Sequence, residues 1–163
     1  MRFEDTERAL HAFGKYVVQQ SRTRLTKGNH NASKHLYDSI DFEVKSTNNG
    51  YELSFFALPY GEFLDKGVSG KKHKYDTPYS YKNKMPPPKA FEAWIKAKGI
   101  KYRDDKGRFK KGGVKTLSFL IARSVFNNGI KPSLFFTKPF EKAFERFPDD
   151  IADNLAQDII DNI

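Results

Sequence analysis

The side chains that most often serve in catalysis or metal binding are few in this sequence and lie far apart. The four histidines form no His-Glu-x-x-His helix, and His30 and His35 are five residues apart, which does not place two ligands on one helical face. The remaining two are His11 and His73. Cysteine is absent, which excludes disulfides, thiol nucleophiles and cysteine-bound metals. We therefore expect neither a metal nor a cofactor.

The carboxylates offer a second route to chemistry. Glu62 and Asp65 stand three residues apart and could share a metal with Asp104 or Asp105. A metal-dependent nuclease needs several converging carboxylates plus a lysine, and these acids are also typical of an ordinary solvated surface. No Gly-x-Ser-x-Gly elbow, phosphate-binding glycine loop or dinucleotide fingerprint occurs. We expect a binding or assembly role instead of an enzyme.

Basic residues are the most prominent chemical feature. Among the 163 residues, 29 are basic and 20 acidic, a net charge of +9. Residues 71–115 hold fifteen basic and four acidic side chains, whereas residues 141–163 hold two basic and seven acidic ones. A charge of this size suggests a polyanionic neighbour without identifying it.

The basic block contains two segments with turn signals, at about 70–88 with its prolines and at about 100–113 with its glycines, which we interpret as loop insertions. Tyrosines interleave with the lysines of the first, a pattern that suits single-stranded nucleic acid or a phosphate backbone, or a solvated loop that tyrosines anchor to the body. Candidate DNA-facing or partner-facing residues are Lys71, Lys72, Lys74, Lys82, Lys84, Arg103, Arg108, Lys110 and Lys111. Candidate subunit-interface residues are Asp149, Asp150 and Asp153.

The elements that must position these residues follow from periodicity. Ile40, Phe42 and Val44 alternate with polar residues, and after Asn-Asn-Gly at 48–50 the alternation resumes, which predicts a β-hairpin at about 39–57. Because two strands alone are marginal, helices must cover them. We predict an α+β fold in which a small antiparallel sheet is covered by an N-terminal helix and a central helix at about 114–127, followed by a C-terminal helical segment.

Finer predictions concern the helices and the chain as a whole. We expect Trp94 and Leu120 in the core, and a last amphipathic helix with its aspartates outside and an apolar face formed by Ile151, Leu155, Ile159 and Ile160. The length predicts one domain over residues 1–163. No apolar run of about 20 residues is present, and charges interrupt the first 30, so we expect a soluble chain without a membrane span.

Three segments together resemble one family. Leu-Tyr-Asp-Ser-Ile at 36–40 is similar to that family's entry into its first strand, and Tyr-Gly-Glu-Phe-Leu-Asp-Lys-Gly at 60–67 to its signature. Gly-Ile-Lys-Pro at 129–132, followed by Phe-Thr-Lys-Pro-Phe at 136–140, resembles its closing motif. The family is the neck or tail-completion (head-tail joining) proteins of tailed bacteriophages. Its motif residues would here be Tyr60, Gly61, Asp65, Gly67, Phe136 and Pro139.

The resemblance implies a structural virion protein without catalysis or cofactor, in a tail-completion or terminator role. Such a protein forms a ring in the neck of the virion, with six subunits favoured over twelve, and is assembled in the host bacterial cytoplasm. Its partners would be further copies of itself, other neck and tail proteins, and the double-stranded DNA that passes through the channel, which it would contact without sequence specificity. The alternative from the residues alone is a stand-alone basic DNA-binding module.

Overall fold

A computed structural model describes residues 4–48, 50–104, 106–110 and 113–161. Within these ranges the chain forms seven α-helices, one 3₁₀ turn (Pro88–Phe91) and two strands. The strands are β1 (Asp41–Thr47) and β2 (Gly50–Phe56). The helices are α1 (Glu4–Lys27), α2 (His35–Ser39), α3 (Tyr60–Lys66), α4 (Glu92–Ala97), α5 (Val114–Asn128), α6 (Thr137–Arg146) and α7 (Pro148–Asp161). The predicted α+β class is confirmed.

The chain divides into two compact units, which we describe separately. The sheet unit consists of Met1–Asn31, His35–Leu58 and Leu134–Ile163. The basic unit consists of Ala32–Lys34 and Pro59–Ser133. The single domain over residues 1–163 that the chain length predicts stays a prediction.

The sheet unit is built on the predicted hairpin. Strands β1 and β2 pair antiparallel from Asp41 opposite Phe56 to Thr47 opposite Gly50. Gly50 has a φ of 138°, a backbone conformation that side chains rarely tolerate, so glycine suits the hairpin connection. Two strands do not form a stable sheet alone, and helix α1 packs on both of them.

Aromatic rings fill the space between the sheet and the helices. Phe13 of α1 lies 6.0 Å from the ring of Phe140 in α6, edge to face, and Phe55 of β2 lies 5.3 Å from Phe136. Such pairs add to the burial of apolar area. The helix that covers the sheet beside α1 is therefore α6. Central helix α5 belongs to the basic unit, where it packs on α4 and on the 3₁₀ turn.

A buried carboxylate joins the two ends of the sheet unit. Asp158 of α7 is 5% exposed and accepts hydrogen bonds from the Thr6 N–H (2.8 Å), the Thr6 hydroxyl (2.6 Å) and the Asp5 N–H (3.3 Å). The first N–H groups of a helix have no partner within it, and negative charge is favoured there. Asp158 therefore acts as the N-terminal cap of α1, although it lies more than 150 residues away in sequence.

Several sequence expectations about burial are wrong. The aspartates of the last helix lie outside as expected except Asp158, and of its apolar stripe Ile151 packs against the core while Leu155, Ile159 and Ile160 are exposed. Ile151 and Asp158 lie seven residues apart on one face of α7, and this face, which carries the cap on α1, is the one that points inward. Trp94 is 42% exposed because Ile95 occupies the buried position of short helix α4.

Helix α5 differs from expectation in the same way. Leu120 is 47% exposed, and the fully buried positions are Ser118 and Ala122. Small side chains on this face let the neighbouring elements of the basic unit approach closely. The hydrophobic spacing predicted the helix correctly and its inner face only in part.

Replacement of Asp158 by Asn tests the cap. We expect a Tm at pH 7 lower by about 2–4 °C, the size typical of a lost helix cap in a chain of this length. Burial opposes ionisation of Asp158, but the hydrogen bonds from Thr6 and Asp5 hold its pKa below the ordinary 3.8. The stabilisation is therefore present above pH 3.8 and is lost as the pH falls through the lower pKa of the folded state.

Differential scanning calorimetry at pH 7 and at pH 3 measures both effects. The difference in Tm between the native chain and Asp158→Asn should shrink at the lower pH. Asp153→Asn, an exposed change on the same helix, is the control and should leave Tm unchanged. An equal loss in both variants would contradict the cap.

Candidate interaction surface

The first basic segment is held by the end of helix α5. The backbone N–H groups of Lys71 and Lys72 donate to the carbonyls of Phe126 (2.9 Å) and Asn127 (2.8 Å). These carbonyls belong to the last turn of α5, whose C=O groups lack partners within the helix and carry partial negative charge. The loop therefore satisfies the helix end and places lysines where positive charge is favoured.

The same segment forms two backbone bridges. Val68 pairs antiparallel with Ile130, through N–H to carbonyl bonds of 2.8 Å in each direction. On its other side the Ser69 N–H donates to Tyr79 (2.8 Å), and the Tyr81 N–H donates to Ser69 (2.9 Å). Residues 68 and 69 thus lie between two other segments of the basic unit, and both are buried.

Glycines make this close approach possible. A Cβ atom on Gly70 would stand 2.2 Å from the Asn127 carbonyl oxygen, and one on Gly129 would stand 2.1 Å from the Val68 oxygen. Gly67 has a φ of 76° and faces Ile130 with equally little room. Since real Cβ atoms do not approach so closely, each position requires glycine for the backbones to meet.

The tyrosines of the first basic segment pack inward. Tyr79 lies edge to face against Phe63 of α3, with 4.7 Å between ring centroids, and Tyr81 packs on Phe126 at 6.3 Å. Tyr75 is half-buried beside His73. Of the two interpretations that the sequence left open, this geometry favours tyrosines that anchor the loop.

A charged group on α3 reinforces that anchor. The Lys66 ammonium donates to the Glu62 carboxylate at 2.8 Å, and this bond, with a second from Tyr79, lowers the pKa of Glu62. The bond to Glu62 in turn raises the pKa of the Tyr79 hydroxyl above 10. The hydrogen bond between the Tyr79 hydroxyl and the Glu62 carboxylate therefore joins the loop to α3.

The predicted lysines lie on the surface of the basic unit. Lys71 extends over the ring of Phe126 at 5.6 Å, and the Lys74 ammonium donates to the Gly70 carbonyl at 2.8 Å. Lys72, Lys82 and Lys84 are exposed. The loop therefore has a backbone that hydrogen bonds hold between residues 68 and 81, and it has a cationic outer face.

The second basic segment is a tight turn. The Asp104 carboxylate accepts the N–H groups of Lys106 (3.0 Å) and Arg108 (2.9 Å), and Gly107 takes a φ of 75°. Arg103 pairs with Phe109 across the turn, and the Lys110 N–H donates to the Tyr102 carbonyl at 3.0 Å. Lys111 and Asp105 lie outside the described residues.

The other predicted residues are spread over both units. Asp149, Asp150 and Asp153 are exposed on α7 of the sheet unit. The motif residues are mostly inside: Gly61, Asp65, Gly67 and Pro139 are buried, Phe136 is half-buried and Tyr60 is exposed. Most of the motif residues are thus packed in the interior of their units.

The division of charge follows the division into units. The basic unit contains nineteen basic and six acidic residues, a net of +13, and the sheet unit contains ten basic and fourteen acidic residues, a net of −4. A block count along the chain detects the basic segment, but it cannot show that residues 32–34 and 59–133 gather into one body. The cationic character belongs to that body.

Two further findings bear on function. Within the described ranges, no three acidic or histidine side chains are grouped so as to hold a metal ion, so Glu62 and Asp65 do not meet Asp104 in such a site. No helix in the same part of the chain is long and apolar enough to cross a membrane. Comparisons of the chain with protein-family models, characterised proteins and solved structures find no match.

Replacement of Gly70 by Ala tests the joint between the loop and α5. The added methyl group would overlap the Asn127 carbonyl, and we expect a loss of about 1–3 kcal/mol in the free energy of unfolding, as for overpacked sites. Urea denaturation followed by circular dichroism measures it. Lys72→Ala keeps the backbone bond to Asn127 and should change stability by less than about 0.5 kcal/mol. If Lys72→Ala were the more damaging change, the backbone would not be what holds the loop.

Proposed function

We propose that this chain is a structural virion protein of the bacteriophage neck, which forms a ring that joins the head and portal to the tail around the DNA channel. The observation that carries the proposal is the division of charge between a unit of net +13 and a unit of net −4. A ring of identical subunits uses two different surfaces of each subunit, and opposite charges suit such a contact.

The positions of the motif residues add support. The signature at 60–67 and the glycine at the start of the closing motif come from segments more than 60 residues apart. In the basic unit they are adjacent, since Val68 pairs with Ile130 and the Ser133 hydroxyl donates to the Leu64 carbonyl at 2.8 Å. The signature and the first part of the closing motif, 129–132, thus build one joint, whereas Phe136 and Pro139 belong to the sheet unit. The adjacency of the first two segments is why we retain the resemblance.

The function as a ring is tested by electron microscopy of the purified protein. We expect closed rings with a channel wide enough for duplex DNA, and rings that weaken as salt screens the subunit contacts. Reversal of Asp149, Asp150 and Asp153 to lysine should shift the oligomer toward monomer at moderate salt.

A control with the same change in charge is the replacement of Asp38, Glu43 and Glu52 by lysine, since these acids are exposed elsewhere on the sheet unit. This control should leave the rings intact. Only monomers or open filaments of the native chain, at every concentration that stays in solution, would contradict the proposed function.

A second candidate function is a stand-alone DNA-binding module, favoured by the exposed lysines on the outer face of the first basic segment. Neutralising three phosphate-facing lysines lowers the salt slope of DNA binding by about 3, at roughly 0.9 per contact. We expect this for Lys72, Lys82 and Lys84→Ala, measured by fluorescence anisotropy of a labelled duplex at several salt concentrations.

The matched control neutralises Lys15, Lys27 and Lys142, three exposed lysines of the sheet unit, and should leave the slope unchanged. Tight binding at physiological salt by a monomer would favour the module, whereas weak binding by a ring would favour the neck protein. If the salt slope of the Lys72, Lys82 and Lys84→Ala variant were unchanged, neither candidate function could include DNA contact by this loop.

A further inference from the structure

An exposed aromatic ring lies on the second basic segment. Phe109 is 60% exposed, and cations lie over its face: the Arg103 guanidinium is 4.0 Å from the ring centroid and the Lys101 ammonium 5.4 Å. Cations over a ring are favourable contacts, but they leave its apolar edge in water. A ring in this position is suited to a contact with another molecule.

The turn that carries Phe109 is fixed by hydrogen bonds on both sides of it. Besides the bonds to the Asp104 carboxylate, the Asp104 N–H donates to the Arg108 carbonyl at 2.9 Å, and the Arg103 guanidinium donates to the Gly107 carbonyl at 3.2 Å. A ring held on an ordered turn loses little conformational entropy when it binds. Phe109 is therefore presented in a conformation ready for docking.

The sheet unit carries an apolar groove of about 370 Å³ that is large enough for an aromatic ring. Phe144 of α6 stands at this groove and is 58% exposed. The other residues that matter to the argument are Leu10 of α1, Leu53 of β2, and Phe140, Pro148 and Ile151. The groove is therefore formed by side chains from the sheet and three helices, all within one compact unit.

The charges around the ring and around the groove are opposite. Residues 101–110 around Phe109 hold five basic and two acidic side chains, a net of +3, and one of the acids, Asp104, pairs with Arg108 at 3.3 Å. Helices α6 and α7, which contribute to the groove, hold six acidic side chains besides the buried Asp158 and three basic ones, and Glu141 and Glu145 follow Phe140 and Phe144 directly. Such complementarity fixes the orientation of a contact and speeds its formation.

We propose that Phe109 of one copy of this chain inserts into the apolar groove of a second copy. The Phe109 side chain and the groove are different surfaces, and each copy has one of each, so the contact between copies is heterologous. Repeated heterologous contacts generate a closed oligomeric ring when the rotation between successive copies closes. This inference rests on the proposed function, which supplies the oligomeric ring, and it adds the residues that form the contact between subunits. Duplex DNA is the other occupant that the basic turn could meet, and the test separates the two.

Disulfide cross-linking tests the contact with little background, because the chain has no cysteine of its own. Lys110→Cys, beside Phe109, is mixed with Glu145→Cys, beside Phe144, under mild oxidation. We expect a covalent dimer of the two variants. Glu43→Cys, on exposed β1, is the control partner and should give only the background of random collisions. Adding Phe109→Ala to the Lys110→Cys chain should reduce the dimer to that background.

Sedimentation of the native chain and of Phe109→Ala gives a second measurement without cysteines. Loss of a central aromatic contact should weaken self-association by at least about tenfold in Kd. Phe119→Ala, a change at another exposed ring of the basic unit, should have no such effect.

The outcomes separate this inference from the proposed function. Intact rings without the cross-link, or rings that Phe109→Ala leaves unchanged, would overturn the inference alone. A cross-link that depends on Phe109 in a chain that forms no closed ring would support the inference and overturn the ring. If Phe109→Ala lowered the affinity for duplex DNA and left self-association unchanged, the Phe109 side chain would contact DNA instead of a second copy, and the inference would be wrong.

Discussion

The basic unit depends on the close contact between the segment after α3 and the end of α5. Backbone bonds between Val68 and Ile130, and from Lys71 and Lys72 to the last turn of α5, join two parts of the chain about sixty residues apart. This contact requires glycine at two of the meeting points, Gly70 and Gly129, because any side chain there would separate the backbones. The helix end gains hydrogen-bond donors, and a segment rich in charge gains a fixed course.

That fixed course explains how a strongly cationic loop stays ordered. Lysines repel one another and solvate well, so a segment of this composition would not fold by burial of its own side chains. Here the backbone is satisfied by α5, and Tyr79 and Tyr81 supply the apolar contacts. The lysines are then left on the outer face, where their charge is available to a partner.

The sheet unit solves a different problem, since two strands bury too little surface to be stable. Its cover consists of α1 and α6 with a cluster of aromatic rings, and α7 is tied to α1 by the buried carboxylate of Asp158. The outer acids of α7 are thereby displayed on an ordered helix. In each unit the excess charge thus lies on backbone that hydrogen bonds and packing hold in place. This arrangement is why we look for function in contacts between molecules.

The hairpin, the helices and the positions of the two basic segments could be predicted from the sequence, because alternation, helical spacing and breaks at glycine and proline are local patterns. The Asp158 cap on α1, the outward positions of Trp94 and Leu120 and the cover of the sheet by α6 could not be predicted in this way. These depend on which distant segments meet, and one helical stripe is compatible with several partners. The division of charge between the two units could not be predicted for the same reason, since a charge count along the sequence does not show which distant segments fold into one unit.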